Sequence, residues 1–332
     1  MKKVILLLCI FALSLFNCTS CVSNVKDAMK RYEKDKYVYL VAGFDEAASN
    51  TDVLLTVSYD VESATARVAQ IPRDTYYNFG KSQNKINQLY SNKISEGMKP
   101  SEALKQVSEE IAGIFGTKFD GYAGLTINTF KKIVDAIGGV DIEISEDMMF
   151  CLDSDSSLLV LNKGINHING EDAEKFVRFR SSYAMGDLGR IDAQKLFLNA
   201  LFKKISSGLN FSELLSVAAS FEKDIITGIK LADAFNALVN ILSDKREKTV
   251  YYATLPGEPA VSKNGISFYV LNRKSAAEMV SIYMFATEIF DKKLKCLNES
   301  EVSFANIYED DTITYREYTN KNLADMHIIS ER

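Results

Sequence analysis

The sequence of 332 residues is poor in residue types on which several common active sites depend. It contains two histidines, His167 and His327, which argues against a histidine-based nucleophilic triad and against a zinc site built from several histidines. The formal net charge is −5 and the pI is about 5.4, so the protein as a whole is not expected to coat nucleic acid. Any basic binding site must therefore be local.

Cysteine is also scarce in the body of the chain. Three of the five cysteines, Cys9, Cys18 and Cys21, lie in the N-terminal segment, which leaves Cys151 and Cys296. These two could pair in an oxidising compartment, but sequence alone does not establish a pairing.

The N-terminal segment begins with two lysines and an uncharged apolar run over residues 4–16, and no later run is comparably long. Thirteen apolar residues match the length of a signal peptide, and extension through residue 22 gives nineteen, just enough to span a bilayer. Lipidation of a cysteine after cleavage is a third alternative. All three alternatives place residues 23–332 outside the cytoplasm. We therefore predict a signal peptide or membrane anchor over 1–22 and a linker over 23–36.

Short apolar runs alternate with helical patterns along the rest of the chain. Strand patterns cover 36–44, 52–60, 65–72, 121–127, 140–144 and 248–256. Helical patterns cover 100–116, 129–137 with Asn128 as the cap, 170–178, 191–205, 211–221, 231–242 and 275–290. The alternation predicts the α/β class: a single α-β-α layered domain over 37–296 with a mostly central mixed sheet. The polar, acidic residues 297–332 are expected to form a surface appendage or to be partly disordered.

Charged residues cluster where the predicted strands begin or end. Asp45 follows the first strand, Asp52 begins the second, and Arg73 and Asp74 follow the third. An aspartate beside a turn is usually a turn or cap residue. Aspartates are also ligands for Mg²⁺, and arginines are forked donors for phosphate oxygens. This combination is what phosphoryl transfer requires.

A second charged stretch, "RFRSSYAMGDLGR" over 178–190, places three arginines around a loop that contains glycine. It is either a solvated surface turn or a site for a doubly anionic group. Gly186 and Gly189 would allow the backbone to bend and to approach such a group closely.

Several motifs in order resemble those of the LytR-CpsA-Psr family. They are "TDVLLTVSYD…ARVAQIPRDTYY", "KINQLYS", "FKKIVDAIGGVDIEI", "GINHINGEDAEKFVRFR" and "GDLGRIDAQ". The match covers about residues 37–206, and "ATLPGE" and "SFYVLN" look like the trailing segment of the family. The resemblance implies an Mg²⁺-dependent phosphotransferase, anchored through its N-terminus on the outer face of a bacterial membrane. Its implied activity is transfer of a glycopolymer from a polyprenyl-pyrophosphate carrier to peptidoglycan.

The resemblance also implies roles for individual residues. The metal would be held by Asp45 and Asp52. The pyrophosphate would be bound by Arg73, Arg178, Arg180, Arg190 and Gln194. The catalytic residues would be Arg73, Asp74 as an orienting partner of nearby arginines, and Asp187 as a candidate base or supporting partner. The apolar tail of the carrier would need a tunnel, which we expect between the sheet and the helices over 130–137 and 196–205, although apolar residues there also suit a plain core.

The chain departs from the family pattern at three positions that usually carry arginine. These positions hold Ala47, Asn50 and Ala193. A missing arginine at 193 would leave the ligand one forked donor short. Two alternatives to transfer therefore stay open: a non-catalytic binding protein for polyprenyl-pyrophosphate-linked glycans, and a pyrophosphate hydrolase of the same lipids.

Overall fold

The computed structural model describes residues 35–45, 50–78, 84–151, 158–179, 187–208, 213, 216–217, 220–229, 246, 249–286 and 304–323. The N-terminal segment, the predicted helix over 231–242 and Cys296 lie outside these residues, as does most of the predicted helix over 211–221. No helix in the described ranges combines the length and apolar character needed to cross a membrane.

A seven-stranded mixed sheet forms the centre of the fold. In spatial order its strands are β13 (Glu317–Thr319), β10 (Thr249–Thr254), β3 (Thr65–Ile71), β2 (Thr51–Asp60), β1 (Lys36–Phe44), β4 (Gly121–Thr126) and β9 (Ile225–Thr227). The β1–β4 and β3–β10 pairs are parallel, and the other neighbours are antiparallel. Within the part of the chain that the structure describes, three two-stranded sheets accompany it: β5 (Val140–Ile144) with β8 (Gly164–Ile168), β6 (Met148–Cys151) with β7 (Leu158–Leu161), and β11 (Gly257–Val261) with β12 (Ser267–Leu271).

Helices cover both faces of the central sheet. The described helices are α1 (Gln88–Ser95), α2 (Pro100–Ile114), α3 (Ile127–Ala136), α4 (Gly170–Arg178), α5 (Asp187–Gly208), α6 (Arg273–Tyr283) and α7 (Ala305–Tyr308), with a 3₁₀ turn at Glu222–Asp224. Alternate side chains of β1 enter different cores: Tyr39 packs with residues of α3, α4 and α5, whereas Leu40 packs with residues of α1, α2 and α6. The predicted α-β-α layering is confirmed.

The ends of two helices differ from the sequence-based expectation. The cap of α3 is Thr126, whose side chain accepts a hydrogen bond from the backbone N–H of Thr129, so Asn128 lies inside the helix. Helix α6 ends at Tyr283, several residues earlier than the apolar pattern predicts. Phe285 has φ +50°, a left-handed conformation that does not continue a helix.

Residues 304–323 are part of the domain, which differs from the expected surface appendage. Strand β13 extends the central sheet next to β10, and the Leu323 side chain is fully buried. The ring centroids of Phe304 and Tyr76 lie 5.4 Å apart. Oε2 of Glu317 accepts a 2.6 Å hydrogen bond from the Tyr283 hydroxyl. The segment is acidic and its apolar residues are widely spaced, so the sequence pattern does not indicate that it packs against the sheet.

Candidate functional site

A cavity of about 400 Å³ lies between the central sheet and helices α3 and α5. Its polar wall includes Asp45, Asp52, Gln70, Thr126, Arg178, Arg190 and Gln194. Its apolar wall includes Val41 and Leu55 from the sheet, Phe130, Ile133 and Val134 from α3, and Phe197, Leu198 and Leu201 from α5. One continuous cavity therefore combines a charged region with an apolar region, in the place where the sequence led us to expect a tunnel.

Asp52 owes its position to an irregularity in strand pairing. The β1–β2 register pairs Gly43 with Val53 and Phe44 with Thr51, so that Asp52 is the extra residue of a β-bulge. A bulge of this kind redirects a side chain away from the regular alternation of the strand. Asp52 consequently reaches the cavity wall, beside the end of β1 that carries Asp45.

Asp45 is held by the backbone on the other side of its loop. Its N–H donates to the carbonyl of Asn50 at 3.2 Å, and the N–H of Asn50 donates to Oδ2 of Asp45 at 3.3 Å. Asn50, at a position that usually carries arginine in the family, thus closes the loop through its main chain. Ala47 lies outside the described residues.

Arg73 contacts a residue of the polar wall, Asp52, through an ion pair. Its Nη1 atom lies 2.6 Å from Oδ1 of Asp52, and both side chains are partly buried. Arg73 itself does not line the cavity in this conformation. A turn fixes the loop that carries it, because the N–H and hydroxyl of Thr75 both donate to the carbonyl of Pro72.

Asp74 faces a different partner from the one expected. Its Oδ1 atom lies 3.0 Å from Nζ of Lys85, and it is not part of the cavity wall. Among the described residues, the ion-pair partner of Asp74 is thus a lysine and not one of the arginines that it was expected to orient. Lys85 belongs to the "KINQLYS" motif, whose backbone also pairs with this loop through Asn87 N–H and the carbonyl of Arg73.

Helices α4 and α5 bring three predicted phosphate ligands to the same wall. Arg178 ends α4, whereas Arg190 and Gln194 lie four residues apart on α5 and share one helix face. Arg190 is 4% exposed, which is incompatible with a solvated turn at this residue. The positive end of the α5 dipole, within one turn of Arg190, also favours an anion. Arg180 and the side chain of Asp187 lie outside the described residues.

Arg178 forms an ion pair with an acidic residue on the same helix. Glu174 accepts a hydrogen bond from Nη1 of Arg178 and lies 2.8 Å from Nζ of Lys131. Burial alone would raise the pKa of Glu174, but the hydrogen bonds from Lys131 and Arg178 outweigh it and hold the pKa below its ordinary value. The Arg178 side chain, 43% exposed, is therefore oriented by a carboxylate.

Gln70 is a member of the polar wall that sequence reasoning missed. It lies on β3, is 4% exposed, and donates a 2.6 Å hydrogen bond from Nε2 to Oε1 of Gln194. The signal available in the sequence was a large amide near the end of the strand pattern "TARVAQIP", which also contains Arg67. Without knowledge of what this strand faces, that signal identifies no partner.

Ala193 does not occupy the place that the family comparison suggested. Its side chain is fully buried and packs in the core on the α3–α5 side of the sheet, outside the cavity lining. Position 193 therefore contributes no side chain to the cavity wall in this protein.

The cavity offers two carboxylates to a cation. Among the described residues, no group of three or more histidine, cysteine, aspartate or glutamate side chains is placed to hold a metal ion. Asp45 and Asp52 both line the polar wall. A cation there would depend on ligand or solvent oxygens for the rest of its coordination.

A model of the LytR_cpsA_psr family matches residues 17–283. The chain belongs to the LytR-CpsA-Psr family. The match includes every strand and helix that lines the cavity and ends at the last residue of α6.

Relatives in this family include named transferases. The chain is 28% identical over 245 residues to polyisoprenyl-teichoic acid–peptidoglycan teichoic acid transferase TagV of Bacillus subtilis (strain 168), covering 71% of this chain and 60% of TagV. It is 27% identical over 256 residues to the transferase TagU of Bacillus mycoides (strain KBAB4), covering 74% of this chain and 77% of TagU. The chain thus spans less than two thirds of the length of TagV.

Solved structures share the fold. The crystal structure of B. subtilis TagV superposes with a TM-score of 0.61 and 24% identity, covering 77% of this chain and 100% of that chain. A structure of TagT bound to LIIa-WTA superposes with a TM-score of 0.59 and 21% identity, covering 76% and 92%. At these identities the superpositions support the fold alone.

Proposed function

We propose that the protein transfers a glycopolymer of the teichoic acid type from a polyprenyl-pyrophosphate carrier to peptidoglycan. The observation that carries the proposal is the cavity, which joins a wall of arginine, glutamine and aspartate side chains to a wall of phenylalanine, leucine, isoleucine and valine side chains. A ligand with a doubly anionic head and a long apolar tail has this distribution of polarity. The names of TagV and TagU, which state transfer of teichoic acid to peptidoglycan, support the same reaction.

In this reaction the cationic and amide side chains bind the pyrophosphate. Arg178 and Arg190 present forked N–H donors, and one N–H of Gln194 remains available after the bond to the Val177 carbonyl. A hydroxyl of peptidoglycan attacks the sugar-proximal phosphorus. The new phosphorus–oxygen bond replaces the bond to the bridging oxygen, and polyprenyl phosphate leaves with the electron pair. The proton of the hydroxyl passes to a base, for which Asp187 is our candidate.

The donor set suits Mg²⁺. Mg²⁺ is commonly held by one or two carboxylates together with substrate phosphates and water, and Asp45 and Asp52 provide two carboxylates on the cavity wall. When bound, Mg²⁺ would neutralise charge on the phosphate oxygens. The Arg73 guanidinium, 2.6 Å from Asp52, keeps that carboxylate in place. Without a cation between them, two carboxylates beside a pyrophosphate would repel it.

We also propose that the protein works on the outer face of the membrane, held there by residues 1–22. Two lysines followed by an uncharged apolar run support this proposal. Peptidoglycan, named as the acceptor for the relatives, is an envelope polymer.

The deciding experiment supplies a prenyl-pyrophosphate-linked teichoic acid precursor, with and without peptidoglycan, to the purified protein. Release of prenyl phosphate together with covalent attachment to peptidoglycan is the expected result. Release without an acceptor would instead support the hydrolase, and binding without release would support the non-catalytic binding protein. An Asp52→Asn variant is the matched control and should show both weak binding and slow transfer of the precursor.

A further inference from the structure

We propose that Gln70 selects the glycan end of the carrier lipid, because its Oε1 atom accepts a hydrogen bond from a hydroxyl of the sugar joined to the pyrophosphate. The inference rests on the proposed function and adds a specificity-determining residue to it. It starts from a pair of buried amides on the cavity wall, Gln70 on β3 and Gln194 on α5, which lie 124 positions apart in the sequence.

The orientation of both amides follows from one backbone group. Gln194 Nε2 donates to the carbonyl of Val177 at 3.0 Å, and a carbonyl can only accept, so the nitrogen of this amide must face Val177. Its Oε1 atom therefore faces Gln70, which must present its own nitrogen at 2.6 Å. The remaining polar atom of Gln70 is an acceptor.

That acceptor is buried and has no hydrogen-bond partner in the part of the chain that the structure describes. The Gln70 side chain is 4% exposed and forms part of the cavity wall. A buried acceptor without a donor is costly, and an apolar side chain of similar size would avoid that cost. A ligand in the cavity that Gln70 lines can supply the missing donor.

The chemistry of the carrier lipid leaves one source of donors. The prenyl chain has no polar hydrogen, and the ionised pyrophosphate offers acceptor oxygens only. The sugar joined to the pyrophosphate carries hydroxyl groups, which can donate to Oε1 of Gln70 while Gln194 faces the adjacent phosphate. A site that bonds a hydroxyl in this way discriminates against ligands that lack it.

The test compares three ligands by calorimetry: geranylgeranyl pyrophosphate, its glucosyl ester, and its tetrahydropyranyl ester, which keeps the sugar ring but has no hydroxyl. The Gln70→Met variant keeps the side-chain volume and removes the acceptor. We expect it to weaken the glucosyl ligand about tenfold more than the tetrahydropyranyl ligand, equivalent to about 1.4 kcal/mol of coupling. Arg178→Ala, which removes a phosphate donor and leaves the Gln70–Gln194 pair in place, is the matched control and should weaken both esters equally.

Two results would overturn the inference. Equal weakening of both esters by Gln70→Met would mean that Gln70 acts only by orienting Gln194, and unchanged binding of both would mean that it contacts nothing in the cavity. Binding of the tetrahydropyranyl ester also shows that the variant site is folded. If the wild-type protein bound none of the three pyrophosphates, the proposed function itself would fail, which is a separate outcome.

Discussion

Replacement of Arg190 by alanine tests whether the buried arginine binds pyrophosphate. Arg190 lies on the cavity wall, 4% exposed, one helical turn before Gln194. A hydrogen bond to a charged group contributes about 1.5–3 kcal/mol, so its loss should weaken a prenyl pyrophosphate by about 10-fold to 150-fold. Because burial limits ionic screening, the loss should persist when the salt concentration is raised.

Calorimetry with geranylgeranyl pyrophosphate at low and high salt measures this effect. Arg178→Ala is the comparison, because the Arg178 side chain is 43% exposed and its contribution should shrink with added salt. Arg190→Lys keeps the charge but loses the fork, so it should give an intermediate affinity. Normal binding by a folded Arg190→Ala protein would refute the reasoning, and loss of the circular dichroism signal would indicate a structural role instead.

Four further perturbations have definite expected outcomes. Asp52→Ala, or chelation of the wild type with EDTA, should abolish transfer without loss of fold, and normal turnover in either case would contradict the metal assignment. Ala193→Arg should lower the melting temperature, because overpacking and burial of a charge cost about 1–3 kcal/mol or more. Tighter ligand binding with unchanged stability would instead show that position 193 faces the ligand. The pKa of Glu174 lies below its ordinary value of 4.5, so the contribution of Glu174 to stability is present above that pH and is lost on acidification. A decrease in pH from 7 to about pH 3 should therefore lower the melting temperature of the wild type more than that of Glu174→Gln. Equal losses would exclude this linkage. Fractionated cells should retain the mature chain in the membrane, with residues 23–332 open to protease once the envelope is made permeable; protection from protease, or recovery in the cytosol, would contradict the assignment of residues 1–22.

Local patterns in the sequence predicted β1, β2, β3, β4 and β10 of the central sheet, but not β9 or β13. Strands β1, β2 and β3 appear as apolar runs, and α2 and α4 as periodic patterns with clear ends, because these signals depend on residues close together in the chain. The arginines and aspartates of the candidate site were also visible, since charged side chains are conspicuous at the ends of buried strands. The resemblance to the family added their expected roles.

The tertiary structure decided which of these residues have which partners. Asp52 reaches the cavity through a bulge that no periodicity predicts, and Asp74 pairs with Lys85 because the loops after β3 and before α1 lie side by side. Ala193 points into the core, although Gln194 next to it faces the cavity. Adjacent residues on a helix point about 100° apart, so a small difference in how the helix lies on the sheet determines which of the two reaches the ligand.

Sequence alone thus determined the kinds of chemical groups available and the elements that carry them. Packing determined the rest: the burial of Arg190, the pairing of Gln70 with Gln194, and the addition of β13 to the sheet from an acidic segment. The physical reason is distance along the chain. Helical and strand periodicity report interactions over a few residues, whereas two contacts that orient this site, Arg73 with Asp52 and Gln70 with Gln194, join residues 21 and 124 positions apart and exist only once the layers have packed.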